Sequence, residues 1–356
     1  MNSDKGSEKT PSARILALDY LRGFFIIVII VDHLWRWPNL FQFVSGRGEL
    51  WASAAEGFVI ISGLLVGYIR GYKNRNKPLG EVSKKLAGRG VMLYVWMIIT
   101  SLALVGASWL LDFKGSMAHV PIPEGNWWEL IVSTLSVSYV HTLTHFLYLY
   151  AIFLVIAPGV IWLMRKGKSW IVAVLSMALW GVGVLNSIEW MQWQVLFFLP
   201  TIAGFYFESI LAWYRGLTQK RRDIIRFGSI GTLVVTVLLA MNEVLAHMPG
   251  DYENTLFSRD PITFGTLVTA FAWFIGLLSL FQLLLPLLKK YLGWLLLPFG
   301  ERSLTAYILH TIPLVACAMF LSVSDNFVVN TIISLGCILT TWAIVKIPGI
   351  NRVIPR

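Results

Sequence analysis

The chain has 356 residues, of which 56% are hydrophobic and only 13% charged, and its mean hydropathy is +0.69. That is too much apolar surface for a water-soluble fold of this size. Both cysteines, Cys317 and Cys337, lie in apolar runs, which excludes a disulfide-rich secreted scaffold and reads as membrane packing, while 16 Trp, 12 Tyr and 21 Phe exclude disorder.

Residues 1–13 are polar and charged and are expected to form a disordered cytoplasmic tail. Apolar runs of about the 20 residues that a bilayer core requires follow at 15–35, 52–69, 91–111, 144–164, 170–187, 190–213, 227–246, 262–288, 294–321 and 327–345. A further apolar stretch at 128–140 is short, and Trp127, Trp128 and Glu129 at its start suit an interfacial or re-entrant segment. The expectation is an all-α, polytopic transmembrane bundle of about ten spans. It forms a single domain over residues 14–347, with a short cytoplasmic tail at 348–356.

The net charge of +10 is mostly a matter of topology. If the N-terminus is cytoplasmic, 23 of the 29 Lys and Arg residues fall in inner segments, four fall outside (Arg36, Arg47, Lys114, Arg259), and Arg22 and Arg302 lie within spans. The positive-inside rule then places both termini in the cytoplasm and favours an even number of spans. Nucleic acid is not needed to explain the basic charge. The first apolar run is too long for a cleaved signal peptide and carries Asp19, Arg22, Asp32 and His33.

Charges inside spans are costly and usually face a polar cavity. In LDYLRGFFIIVIIVDHL, Arg22 and His33 are 11 residues apart, so they share one helix face about 16 Å apart in depth, with the fixed cation nearer the cytoplasm. Asp19 can pair with Arg22 at i, i+3, and Asp32 directly precedes His33. The second span opens AAEGFVIISG. It is expected to bring Glu56 to the level of His33, with Ser62 and Gly63 deeper, although small residues there also serve helix packing. His145, Tyr148 and Tyr150 in HFLYLYAIF are candidates for the outer part of a cavity. Trp193 and Gln194, in WMQWQ, offer stacking and hydrogen bonding to a sugar or, equally, an aromatic anchor at the interface. FGERSLTAYILH places Glu301, Arg302 and His310 in one outward-running span, again with the arginine low and the histidine higher. His141 and His145 are four residues apart but lack companions at zinc-ligand spacing, and no metal is expected.

These residues resemble the integral-membrane acyltransferase superfamily, most closely its OpgC-type branch, named for succinylation of osmoregulated periplasmic glucans. LDYLRGFFIIVIIVDH resembles the arginine-to-histidine signature of the first helix, and AAEGFVIISG resembles the second-helix motif. HFLYLYAIFLVIAP, WMQWQVLFFLP and FGERSLTAYILH follow in the expected order. Gly57 departs from the bulkier residue expected after the motif glutamate, and the segment ending in His310 looks more like the wider superfamily than the branch.

The resemblance implies transfer of an acyl group, succinyl or acetyl being candidates, from cytoplasmic acyl-CoA as co-substrate to a hydroxyl of an extracytoplasmic glycan. No bound cofactor is expected. His33 would be catalytic, supported by Asp32 and Glu56. Arg22, Asp19, Ser62 and Arg302 would meet the donor, and His145, Tyr148, Trp193, Gln194 and His310 the acceptor. The implied location is the inner (cytoplasmic) membrane, and homo-oligomerisation stays open. The competing expectation is a secondary transporter or flippase for an anionic or glycan substrate, since intramembrane Arg and His also serve transport.

Overall fold

A computed structural model describes residues 16–111, 120–247 and 255–350, together with Ile354. The expected tail at 1–13 lies outside the described residues, as does most of 351–356. Among the described residues the chain is helical, without a named strand.

The helices are α1 (Leu16–Leu34), α2 (Gln42–Ser45), α3 (Ala54–Leu65, continued by π-helical Val66–Lys73), α4 (Leu79–Leu111) and α5 (Trp127–Leu135). Next come α6 (His145–Arg165), α7 (Ser169–Leu185), α8 (Glu189–Trp193), α9 (Val195–Phe205), α10 (Phe207–Gly216) and α11 (Gln219–Leu245). The last are α12 (Phe264–Leu287), which runs through π-helical Leu288–Leu292 into α13 (Gly293–Glu301), then α14 (Ser303–Leu309), α15 (Thr311–Phe320) and α16 (Phe327–Lys346).

Seven helices among the described residues are long and apolar enough to cross a membrane, or eight if the bent α8–α10 segment is one span, and this makes the chain a membrane protein. The count of about ten is not reached by length and composition alone. Two of the expected spans fall short of that measure: α7 has 17 residues, and α1 carries Asp19, Arg22 and Asp32. At nine residues, about 14 Å, α5 is too short to cross; its Leu130 packs with Val105 and Ile122 in a small separate cluster.

The helix that begins as α12 corrects one expected boundary. A loop is expected at Lys289 and Lys290, between the apolar runs 262–288 and 294–321. Instead the helix continues through a π-helical stretch, and the break comes at Arg302. A Cβ on Gly23 would lie 2.1 Å from the Leu296 carbonyl oxygen, and one on Gly300 would fall on the Asp19 backbone, so α1 and α13 touch main chain to main chain. From Leu296 to Gly300 the chain thus descends along α1 from Gly23 to Asp19. From Ser303 to His310 it climbs again, because Ser303 meets Arg22 and His310 meets His33. FGERSLTAYILH therefore straddles a bend rather than lying in one span, and Arg302 sits at that bend.

Close backbone approach recurs between α3 and α9. Gly63 faces the Phe197 carbonyl, Gly67 that of Thr201, and Gly204 that of Leu64. These glycines serve packing, the usual role of small residues between membrane helices. Gly57 is covered by the Phe25 ring, which fills the place of the side chain that Gly57 lacks.

Candidate active site

α1 ends where Trp35 takes a left-handed conformation (φ 51°), leaving His33 in the last helical turn. His310 lies at the junction of α14 and α15. Pro313, three residues later, has no N–H for the Leu309 carbonyl and disfavours a regular helix there. The two imidazoles meet with His33 Nδ1 2.8 Å from His310 Nε2, and His310 is fully buried.

Hydrogen-bond accounting fixes the tautomers. His310 Nδ1 lies against the Tyr307 carbonyl, which can only accept, so Nδ1 carries hydrogen and Nε2 of the neutral ring is an acceptor. His33 Nδ1–H then donates to it, which leaves the lone pair of His33 on Nε2. This is the orientation required of a general base: one ring nitrogen available, the other held by a partner.

His33 lines a cavity of about 460 Å³ with Ile29, Asp32, Trp35, Gly48, Ser53, Ala54, Ala55, His141, Thr142, Leu143 and Arg259. One wall is the start of α3, where Ser53 and Glu56 form a capping box. Glu56 Oε2 accepts from Ser53 N (2.8 Å) and Ser53 Oγ (2.5 Å). The expected direct partnership of Glu56 with His33 is thus replaced by one with Ser53, and His310 takes the position beside His33. Asp32 does share the His33 cavity, with Gly48 packed against its carboxyl.

Deeper along α1, Arg22 Nη2 donates to Ser303 Oγ (2.5 Å), and its guanidinium lies 5.7 Å from the centre of the Phe58 ring. Ring contacts of 5.2–6.3 Å lead on from Phe58 to Phe146, Tyr307 and His33, so an aromatic column joins the arginine level to the histidine level. Asp19 is buried in the first turn of α1, and Ser62 is buried one turn beyond Phe58 on α3. Arg302 points elsewhere: its Nη1 donates to the Val345 carbonyl (2.6 Å), which satisfies the end of α16.

The expected acceptor group is divided. His145 Nε2 bonds Glu189 Oε2 at 2.8 Å, with Tyr148 beside it (ring centres 5.8 Å), and so joins the start of α6 to α8. Gln194 is fully buried and committed to helix packing: it accepts from Ser176 Oγ (2.7 Å) and donates to the carbonyls of Ser176 (2.7 Å) and Met191 (3.1 Å). Neighbouring Trp193 packs against the apolar core. This corrects the expectation that Gln194 faces a sugar, and His310 moves from the acceptor set to the side of His33. The cavity draws instead on His141, one turn before His145, and on Arg259. His141 caps the short turn Thr142–Thr144 by accepting from Leu143 N (3.2 Å). Arg259 comes from a segment more than 200 residues away in sequence, which no local pattern could reveal. No group of three or more His, Cys, Asp or Glu side chains suited to a metal occurs among the described residues.

No curated protein and no solved structure matches the chain. A family model does: that described as OpgC protein covers residues 14–351, nearly the whole length and every element that builds the histidine pair. The chain belongs to the OpgC protein family.

Proposed function

We propose that the chain is an integral-membrane acyltransferase that carries an acyl group from cytoplasmic acyl-CoA to a hydroxyl of an extracytoplasmic glycan, with succinyl and acetyl as the leading acyl candidates. The observation that carries this reading is the pair His33–His310, which presents Nε2 of His33 as a base beside a cavity large enough for a sugar hydroxyl and a thioester.

The acceptor O–H would give its proton to His33 Nε2 as its oxygen attacks the thioester carbonyl. The tetrahedral oxyanion forms beside the first turn of α3, where the helix dipole favours negative charge. Collapse breaks the C–S bond, and the departing thiolate takes the proton back from His33. Arg22, about 16 Å lower on α1, is placed to meet the donor's arm, and the aromatic column from Phe58 to Tyr307 offers that arm an apolar wall. The topology that goes with this reading has ten spans, both termini in the cytoplasm and the His33 cavity on the outer side of the inner membrane.

Oriented proteoliposomes test it, with labelled acyl-CoA supplied to the face bearing the basic loops and a glycan acceptor to the other. Labelled glycan should form with the wild type and not with His33→Ala, while free CoA stays on the donor side. Product only when both substrates share a face would overturn the sidedness. Movement of a labelled glycan or anion without acylation would establish the transport alternative.

A further inference from the structure

Cys317 and Cys337 each lie in an apolar run, and by sequence alone they read as packing residues. The fold turns them toward one point: Cys317 on α15 and Cys337 on α16 hold their sulfurs 3.3 Å apart. A covalent S–S bond is about 2.05 Å, so an approach of roughly 1.2 Å separates two thiols from a cystine. Cys337 is buried, but Cys317 is only partly covered and lies three residues before the end of α15.

That end of α15 is already held. Arg36 donates to the carbonyls of Cys317 (3.2 Å), Leu321 (2.5 Å) and Ser322 (2.7 Å). Arg36 follows His33 by three residues, and α15 begins directly after His310. The cysteine pair is therefore attached at both ends of α15 to the segments that carry the two histidines. Two sulfurs meeting by chance in a lipid-facing crevice would lack this fixed backbone.

We propose that Cys317 and Cys337 form a disulfide that joins α15 to α16 at the end of the bundle where His33 lies. The oxidant would be a disulfide-bearing thiol oxidoreductase of the outer compartment. The partly exposed Cys317 sulfur attacks one sulfur of the oxidant's disulfide, giving a mixed disulfide and an oxidant thiolate. The Cys337 sulfur then attacks Cys317 Sγ and expels the second oxidant sulfur. The two protons lost by the cysteines pass to the two oxidant thiolates, and two electrons pass to the oxidant. The bridge would close a loop of 20 residues and restrain α15 in the unfolded as well as the folded chain.

The test counts thiols and uses no substrate, so its outcome is separate from that of the acyl-transfer reading. Membranes are lysed directly into denaturing detergent with excess N-ethylmaleimide, then reduced and treated with a polyethylene-glycol maleimide that adds visible mass per thiol. The wild type should carry two polymer labels with the reduction step and none without it, whereas Cys317→Ser and Cys337→Ser should carry none in either case. Loss of both polymer labels from the reduced wild type, because N-ethylmaleimide had already blocked both thiols, would overturn the proposal. If the serine variants fail to fold, the wild-type count still decides. In detergent, the bridged protein should lose its fold roughly 2–6 °C lower after reduction; an unchanged midpoint would overturn the role in holding α15.

Discussion

The indole of Trp342 on α16 donates 2.8 Å to the carbonyl oxygen of Trp294 on α13. That acceptor is the one whose helical donor would be residue 298, and residue 298 is a proline. Their rings also meet edge-on at 5.4 Å. A side chain from another helix thus repairs the backbone defect that precedes the bend at Arg302.

Trp342→Phe should preserve most of the ring contact and lose the donor. The expected cost is about 1 kcal/mol, seen as a lower thermal midpoint in detergent with acyl transfer little changed. An unaltered midpoint would mean that the Trp294 carbonyl finds another donor.

His310→Ala should reduce turnover by about 10²–10⁴-fold while the protein stays monodisperse. His310→Gln should recover part of that loss, because its amide oxygen can accept from His33 Nδ1–H. The informative comparison is the pH–rate profile, which should change in both variants if His310 acts through His33. An acceptor-binding role would raise KM and leave the profile in place.

Glu56→Ala should cost about 1 kcal/mol through loss of the α3 capping box, whereas Glu56→Gln retains an oxygen for Ser53 and should keep most of that stability. If Glu56→Gln instead lost turnover at full stability, the carboxylate charge itself would matter to His33.

How much of this was legible in advance varies with the range of the contact. The positions of α1, α3, α6 and α16 follow from apolar length, and the common face of Arg22 and His33 follows from helical period; the structure keeps both. The bend at Arg302 was hidden, because Pro286 and Lys289–Lys290 imitate a loop and because the helix that passes through them is stabilised by neighbours such as Tyr20, which packs at Gly293. The arginine-then-histidine echo in FGERSLTAYILH was visible, but only the tertiary fold shows that it lies beside LDYLRGFFIIVIIVDH. Gln194 misled for a physical reason: a buried amide between helices and an amide lining a cavity look identical in sequence.

Gly300→Val should be among the most damaging substitutions away from the histidines. A Cβ there would fall on the Asp19 backbone, where no side chain can yield. Loss of monodisperse protein is the expected outcome, since α1 and α13 must separate to admit it. Gly336→Ala, with nothing within 4 Å of the added carbon, should behave as wild type and serves as the control.

Arg36→Lys should retain a charge at the end of α15 but reach fewer of the three carbonyls, and Arg36→Ala should reach none. Thermal midpoints are expected to fall in that order, with the alanine variant losing about 2 kcal/mol or more. A lysine variant as stable as the wild type would assign the effect to charge alone, and equal midpoints for the two variants would assign it to the guanidinium fork alone.

The histidine relay ends on the main-chain oxygen of Tyr307, a group that cannot hold a proton and pass it on. If His33 takes the acceptor's proton as proposed, that proton must leave again from the same ring nitrogen, Nε2. In the proposed inner-membrane setting this would matter beyond chemistry, because ionisable side chains placed along α1 from Asp19 through Arg22 to His33 could otherwise offer a path for the proton gradient. Under the proposed mechanism this dead end would let the pair reuse one proton in every turnover without conducting any.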